Sequence, residues 1–349
     1  MTIRVELAER SYEVFVGPGV RHQLAEVVAR VVPEARVALI VAPASLQQLK
    51  WFDIATGLEQ HVLEIPEGEA AKDFATLAFL SSEFSRRGLS RRDVVVSVGG
   101  GATTDVVGFA AAAYLRGVAV IHVATSLVAQ VDAAIGGKTG INIPLGKNLV
   151  GAFHQPRAVF CDSEVLQTLP ERERQCGRGE IAKCWILEGR SVADLARSTL
   201  EEQIVQSVAL KSRIVSGDER EGGERALLNY GHTLAHALEA QSLAGRSLDL
   251  RHGEAVAIGI AFAVRLSRRL GLVGDVDVKY QDDVLDTLGL PRQLPTGLSI
   301  DELLLAMARD KKAHHDLTFV LATTDGFQTV ANISASTVRE ELEAAGGVS

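Results

Sequence analysis

Little in this chain suits a secreted, membrane-spanning or nucleic-acid-binding protein. Its three cysteines, Cys161, Cys176 and Cys184, are too few and too irregularly spaced for a disulfide framework or paired CxxC ligands. An odd count suits a reducing compartment, with each thiol read as a small buried side chain. No apolar run approaches the roughly 18 residues that span a bilayer. The opening MTIRVELAERSYEVFVGPG carries acidic residues and strand-like alternation, unlike a signal peptide, so a cytoplasmic setting is expected. A net charge of −8, with both signs interspersed, leaves no basic face for nucleic acid or an anionic membrane. Internal repeats and low-complexity segments are lacking too.

What is present is a globular chain of 349 residues, 47% hydrophobic and long enough for two domains. TIRVEL and YEVFVG alternate like an opening antiparallel pair. RVALIVA, HVLEI, DVVVSVG, AVIHVA and PRAVFCD then read as strands, most of them separated by helical stretches, a rhythm that predicts a parallel α/β sheet over residues 1–165. From 166 to 349 the pattern is helical, with LTFVL as a late lone strand. The predicted architecture is an N-terminal α/β domain followed by an all-helical domain.

Five stretches carry chemistry. VVVSVGGGATTD runs from a buried strand through Gly99, Gly100 and Gly101 into a helix that holds Asp105. Glycines there let backbone N–H groups approach a phosphate, although this is not the GxGxxG fingerprint and a plain tight turn has the same letters. NYGHTLAHALEAQ puts His232 and His236 on one helix face, a geometry needed for a metal pair and common without one. GEIAKC places Lys183 three residues after Glu180, either a surface ion pair or a carboxylate ligand with a cation beside it. His252 opens RHGEAV; one carboxylate, two imidazoles and an open position make a catalytic zinc site. QVDAAIGGKTGINIPLGKN sets Asp132, Lys138, Lys147 and Asn148 between core-like flanks. It reads either as a solvated loop or as a cleft for a phosphorylated ligand.

IPEGEAAK, GGGATTDVVGFAAAAYLRG, AQVDAAIGGKTGINIPLGKNLVGAFHQP, GEIAK, LLNYGHTLAHALE, RHGEAVAIG and DKK occur in one order over nearly the whole chain. In this the chain resembles the dehydroquinate synthase family of sugar-phosphate cyclases. The resemblance implies a Rossmann-like N-terminal α/β domain with bound NAD, one divalent metal (zinc or cobalt), and a helical metal- and substrate-binding domain. It implies Glu180, His232 and His252 as the metal ligands, with His236 on the phosphate-binding and proton-transfer side. Asp132 and Lys138 would contact substrate, and Lys147 and Asn148 would lie by cofactor and phosphate. Lys211 and Arg225 would hold the substrate carboxylate, Asn229 a ring hydroxyl, and Lys311 or its neighbour Lys312 the phosphate. Lys183 would bind a substrate oxygen. Glu69, Lys72, the three glycines, Asp105, Thr125 and Ser126 would line the cofactor with Asp132, Lys138 and Lys147. Arg116, in YLRG, matches an arginine that reaches the phosphate of the neighbouring subunit, implying a homodimer.

The implied reaction converts a heptulosonate 7-phosphate to the carbocycle 3-dehydroquinate. A transient oxidation acidifies a C–H, phosphate leaves by β-elimination, the oxidation is reversed and an aldol step closes the ring. Three features depart from the family pattern. Ala-Pro-Ala follows RVALIV where many relatives place an Asp for the adenosine ribose. HVATSL replaces the usual Pro-Thr-Thr, and WILEGRSVADLARSTLEEQ is shorter than in housekeeping members. Such a member resembles the aminodehydroquinate synthases of aminohydroxybenzoate and ansamycin biosynthesis. Two other classes stay open at this point: a metal-dependent polyol dehydrogenase and a non-catalytic NAD-binding regulator.

Overall fold

Six consecutive buried residues, Val94–Gly99, are what a strand needs when both of its faces are covered. The structure, a computed structural model, describes residues 1–243, 249–309 and 316–346. Its strands are β1 (Thr2–Val5), β2 (Tyr12–Gly17), β3 (Val37–Pro43), β4 (Glu59–Ile65), β5 (Val94–Gly99), β6 (Ala119–Ala124), β7 (Lys138–Ile143), β8 (Gly146–Phe153), β9 (Ala158–Asp162), β10 (Asp316–Thr323) and β11 (Gly326–Ser334). Its helices are α1 (Leu24–Val31), α2 (Ala44–Gln47), α3 (Phe74–Arg86), α4 (Gly101–Ala113), α5 (Glu171–Leu187), α6 (Val192–Arg197), α7 (Leu200–Gly217), α8 (His232–Leu243), α9 (His252–Arg269), α10 (Asp275–Thr287), α11 (Ile300–Arg309) and α12 (Ala335–Ala345). Two compact units result, Met1–Arg174 with Leu200–Arg220, and Gln175–Thr199 with Glu221–Ser349.

The first unit is built on a seven-stranded sheet in the order β1-β2-β9-β6-β5-β3-β4. Only β1 and β2 pair antiparallel; β2–β9, β9–β6, β6–β5, β5–β3 and β3–β4 are parallel. Alternation along β5 fills both faces. Val94, Val96 and Val98 join Ile40, Ile121, Phe160 and the α1 residues Leu24 and Val28 on one side. Val95 joins Leu39, Val120, Phe84 of α3 and Val107 of α4 on the other. At about 1.5–3 kcal/mol for each fully buried aliphatic side chain, these two layers dominate the stability of the unit. From β3 onward the parallel strands lie in the order second, first, third, fourth, fifth. The order in which strands are added across the sheet therefore reverses between β3 and β5, and their carboxyl ends form the crevice where such sheets bind ligands.

Two readings of the sequence change here. The stretch around Lys138–Asn148, read as a loop or cleft lining, is an antiparallel hairpin of β7 and β8 with Gly140 opposite Gly151. Glycines on both strands blank out the side-chain alternation that would have announced it, and they are required. A Cβ on Gly140 would stand 2.8 Å from the Val150 carbonyl oxygen. The helix α7, read as part of the helical half, belongs to the first unit. It is tied to the amino-terminal strand pair by the Glu6 backbone N–H donating to Ser216 Oγ at 2.8 Å.

The second unit is helical around α9, of whose eighteen residues thirteen are buried. A helix apolar on nearly every side is the centre of its domain. The late strand is not alone: β10 pairs with β11 in register Leu317↔Ile333 and Phe319↔Val330. Among the described residues no helix is long and apolar enough to cross a membrane.

Candidate active site

In the second unit Glu180, His232 and His252 bring one ligand atom each within 4.8 Å of one another. His252 Nε2 lies 3.1 Å and His232 Nε2 3.5 Å from the same oxygen, Glu180 Oε1. The other ring nitrogens are engaged elsewhere: His232 Nδ1 meets the Tyr230 carbonyl at 3.2 Å, and His252 Nδ1 meets Glu239 at 3.3 Å. Glu180 is fully buried, and the Lys183 ammonium, 1% exposed, pairs with its Oε2. Burial disfavours the Glu180 carboxylate, but Lys183 and the two imidazoles outweigh it and hold the carboxyl well below its ordinary range. Burial likewise opposes charge on His252, yet Glu180 and Glu239 raise that imidazole well above the usual histidine value. One carboxylate and two imidazole Nε2 atoms converging on one point are the donor set of a catalytic divalent-metal site.

Glycines set this convergence. Gly179 precedes Glu180, Gly231 precedes His232 and Gly253 follows His252. A Cβ built on Gly179 would overlap Gly253, and one on Gly253 would overlap the Cys176 carbonyl, so α5 and α9 meet backbone to backbone. A Cβ on Gly259 would overlap the Gly231 carbonyl, and Gly231 sits at φ +80°, where a side chain is strained. His232 and His252 are each the first residue of their helix, so these contacts fix where both rings start.

The second unit holds other residues expected from the sequence. His236, exposed one turn beyond His232, stands outside the convergent set with its ring 5.4 Å from that of His232. Arg225 is buried, 1% exposed. Asn229 donates through Nδ2 to Glu221 Oε1 at 2.8 Å. Lys311 and Lys312 fall outside the described residues. Glu221 and Glu239 are polar partners that the sequence reading missed. Glu239 could have been found as the carboxylate seven residues, two turns, after His232; Glu221 has no such periodic signal.

In the first unit the carboxyl end of β5 enters Gly99–Gly101 and then α4. The glycines are packed hard: a Cβ on Gly100 would lie 3.1 Å from Ser126 Oγ, and one on Gly101 3.0 Å from the Ala133 Cβ. Thr125 N–H donates to the Gly99 carbonyl at 2.9 Å, so Thr125 and Ser126 border the turn. Lys72, 3% exposed, donates from Nζ to Asp105 Oδ2 and to Asn148 Oδ1, both at 2.5 Å. Asn148, at φ +56°, donates its backbone N–H to Asn142 Oδ1, and Asn142 Nδ2 donates to Glu69 Oε2 at 2.6 Å. Glu69, Lys72, Asp105 and Asn148 thus form one network, with Asn142 as its unforeseen hub. Asp132 sits in a π-helical turn, Ala129–Ala133, and accepts from Lys211 Nζ at its carbonyl and carboxylate, both at 2.5 Å. Such turns are frequent at functional sites. Lys138 is exposed at the start of β7, opposite Phe153, and Lys147 is half-buried on β8. Arg116 is exposed on a tight turn with Leu115 and Arg116 both at positive φ.

The family model described as 3-dehydroquinate synthase N-terminal matches residues 62–176, and the one described as 3-dehydroquinate synthase C-terminal matches 179–313. The chain belongs to the 3-dehydroquinate synthase family. It is 50% identical over 342 residues to an Amycolatopsis mediterranei (strain S699) protein provisionally named an aminodehydroquinate synthase, covering 98% of this chain and 94% of that one. It is 41% identical over 366 residues to the 3-dehydroquinate synthase of Nitrobacter hamburgensis, covering 98% and 95%. Among solved structures, 2-deoxy-scyllo-inosose synthase complexed with carbaglucose-6-phosphate, NAD+ and Co2+ superposes with a TM-score of 0.85 at 25% identity over 99% of both chains. The break between the two family models, at 176–179, falls close to the unit boundary at 174–175, and the second model also spans Leu200–Arg220 of the first unit.

Proposed function

We propose that the chain is a phosphate-eliminating carbon–oxygen lyase of the 3-dehydroquinate synthase type, dependent on NAD and on one divalent ion, zinc or cobalt. Its substrate is a heptulosonate 7-phosphate. The observation that carries the reading is the meeting of Glu180, His232 and His252 beside the buried ammonium of Lys183. In this reading residues 1–165 are the NAD-binding domain and 166–349 the metal- and substrate-binding domain, with the α7 segment packed in the first unit. When bound, NAD accepts a hydride and gives it back, and the divalent ion polarises the oxygen where negative charge develops.

The chain's own residues do the rest. Glu180, His232 and His252 hold the ion, and Lys183 gives a fixed cation for alkoxide and enolate charge. Arg225 grips the substrate carboxylate through its planar fork, Asn229 bonds a ring hydroxyl, and His236 serves the departing phosphate. In the first unit, Gly99–Gly101 and the start of α4 offer backbone N–H groups to the NAD pyrophosphate. Glu69, Lys72, Asp105, Thr125 and Ser126 shape that crevice. Lys147 and Asn148 serve cofactor and phosphate, Asp132 and Lys138 address the substrate, and Lys211 adds a cation toward its carboxylate. A polyol has no use for a buried arginine, which argues against a plain dehydrogenase.

A second reading has its own support. The 50% relative named for the amino analogue and the Ala-Pro-Ala end of β3 favour an aminodehydroquinate synthase. A substrate panel decides: the heptulosonate phosphate, its amino analogue and sedoheptulose 7-phosphate, each followed for inorganic phosphate and cyclic product. Fastest turnover of the oxygen compound supports the primary reading and fastest turnover of the amino compound the second. Turnover of sedoheptulose 7-phosphate alone rejects both. We also propose a cytoplasmic homodimer in which Arg116 serves the partner's site; that Cys161, Cys176 and Cys184 are buried and not joined in disulfides suits that compartment.

A further inference from the structure

The geometry points to Glu239 as the positioning residue that decides which nitrogen His252 presents to the divalent ion; this rests on the metal-site reading above. Glu239 lies on α8 seven residues after His232, two turns along the same helix face. It is 8% exposed, and its Oε2 is 3.3 Å from His252 Nδ1. A carboxylate accepts only, so Nδ1 carries a proton facing Glu239, which leaves Nε2, 3.1 Å from Glu180 Oε1, as the nitrogen that would give its lone pair to an ion held among the three ligands. The other imidazole is arranged alike by a different acceptor: His232 Nδ1 donates to the Tyr230 carbonyl at 3.2 Å. That carbonyl is held by a side chain buried against Phe327 and hydrogen-bonded to Gln281 Oε1 at 2.7 Å. His252, by contrast, depends on one carboxylate from another helix. Helix α8 therefore supplies a ligand of its own and the group that orients the ligand of α9. Outer carboxylates of this kind fix the tautomer and ring plane of a ligating histidine and raise its basicity.

The test is a titration of the metal-free full chain with Co2+, read by visible absorption and by competition with a chelator. Wild type, Glu239→Ala, Glu239→Gln and His252→Ala are compared. Glu239→Ala is expected to weaken Co2+ binding by about 10–100-fold and to alter the absorption band, while Glu239→Gln, which retains an acceptor oxygen, stays much closer to wild type. Wild-type affinity and band in Glu239→Ala, or an equal loss in both variants, overturns the role of Glu239 and leaves the metal site standing. Failure of wild type to bind Co2+, or wild-type binding by His252→Ala, overturns the metal site itself. Because the alanine variant could fail to fold, 15N NMR of the Zn2+-loaded wild-type chain gives a check without mutation. It should show the His252 proton on Nδ1; a proton on Nε2 overturns the inference.

Discussion

At the scale of single residues, the contrast between Lys183 and Arg225 separates, in the proposed function, binding an ion from binding a substrate. Lys183 is bound up with Glu180, whereas Arg225 is buried outside the convergent ligand set. Replacing Glu180, His232 or His252 with Ala should weaken metal binding by more than the roughly 10–100-fold typical of an outer-shell change. Metal analysis after dialysis checks this, and a full complement of ion in any of the three counts against the ligand assignment. Arg225→Ala should leave the ion in place and lower kcat/KM on carboxylate substrates by on the order of 100-fold or more, from about 2–5 kcal/mol lost with a buried charge pair. Unchanged turnover in that variant removes the carboxylate from the account. Glu180, His232 and His252 stood out in the sequence as candidates, but it was the family resemblance that implied one ligand set, and the structure brings their donor atoms together. Glu239, Glu221 and Asn142 did not stand out, since a carboxylate or amide in a helix or hairpin looks like ordinary surface until its partner is placed opposite.

Elements carry the next level of control. The crossings of α5 on α9 and of the start of α8 on α9 have no room for a methyl group at Gly253 or Gly259. Gly253→Ala should therefore cost about 1–3 kcal/mol through overpacking and weaken Co2+ binding together with thermal stability, because the helix that moves carries His252. Loss of stability with wild-type metal affinity would show that the crossing does not govern the site. Strands β1–β6 and β9 and the glycine turn could be read from periodicity alone. The β7–β8 hairpin could not, since paired glycines erase the alternation on which strand reading depends. The partner of β10 was missed as well: GFQTVANIS alternates weakly, with a mostly exposed outer face.

For the whole molecule, two properties follow. His122, buried between strands, accepts or donates to Ser97 at 2.6 Å, and burial, helped by His154, pushes its pKa down to about 3. Unfolded, it binds a proton near pH 6.5, so between 6.5 and 3 the unfolded chain holds more protons and stability falls as the solution is acidified. The full effect is on the order of several kcal/mol. Urea midpoints at pH 7.5 and 4.5 should converge for His122→Asn relative to wild type; parallel losses in the two proteins would assign the acid sensitivity elsewhere. Second, if Arg116 serves a partner's site, mixing Arg116→Ala with His252→Ala chains should restore up to about a quarter of wild-type turnover, as one intact site per mixed dimer allows. No restoration after subunit exchange contradicts the shared site. At this scale the order of the chain misled in one place, because packing does not follow sequence: α7 comes after the Gln175–Thr199 stretch of the second unit, yet it carries Lys211 back to Asp132 within the first unit.

The central claim is that these groups run a cyclisation with no net oxidation. It is tested most directly by following inorganic phosphate and NADH absorbance together in one reaction of the NAD- and zinc-loaded chain with heptulosonate 7-phosphate. The account predicts one phosphate released per carbocycle formed, with no net accumulation of NADH. NADH rising in step with substrate loss, without phosphate, would contradict it.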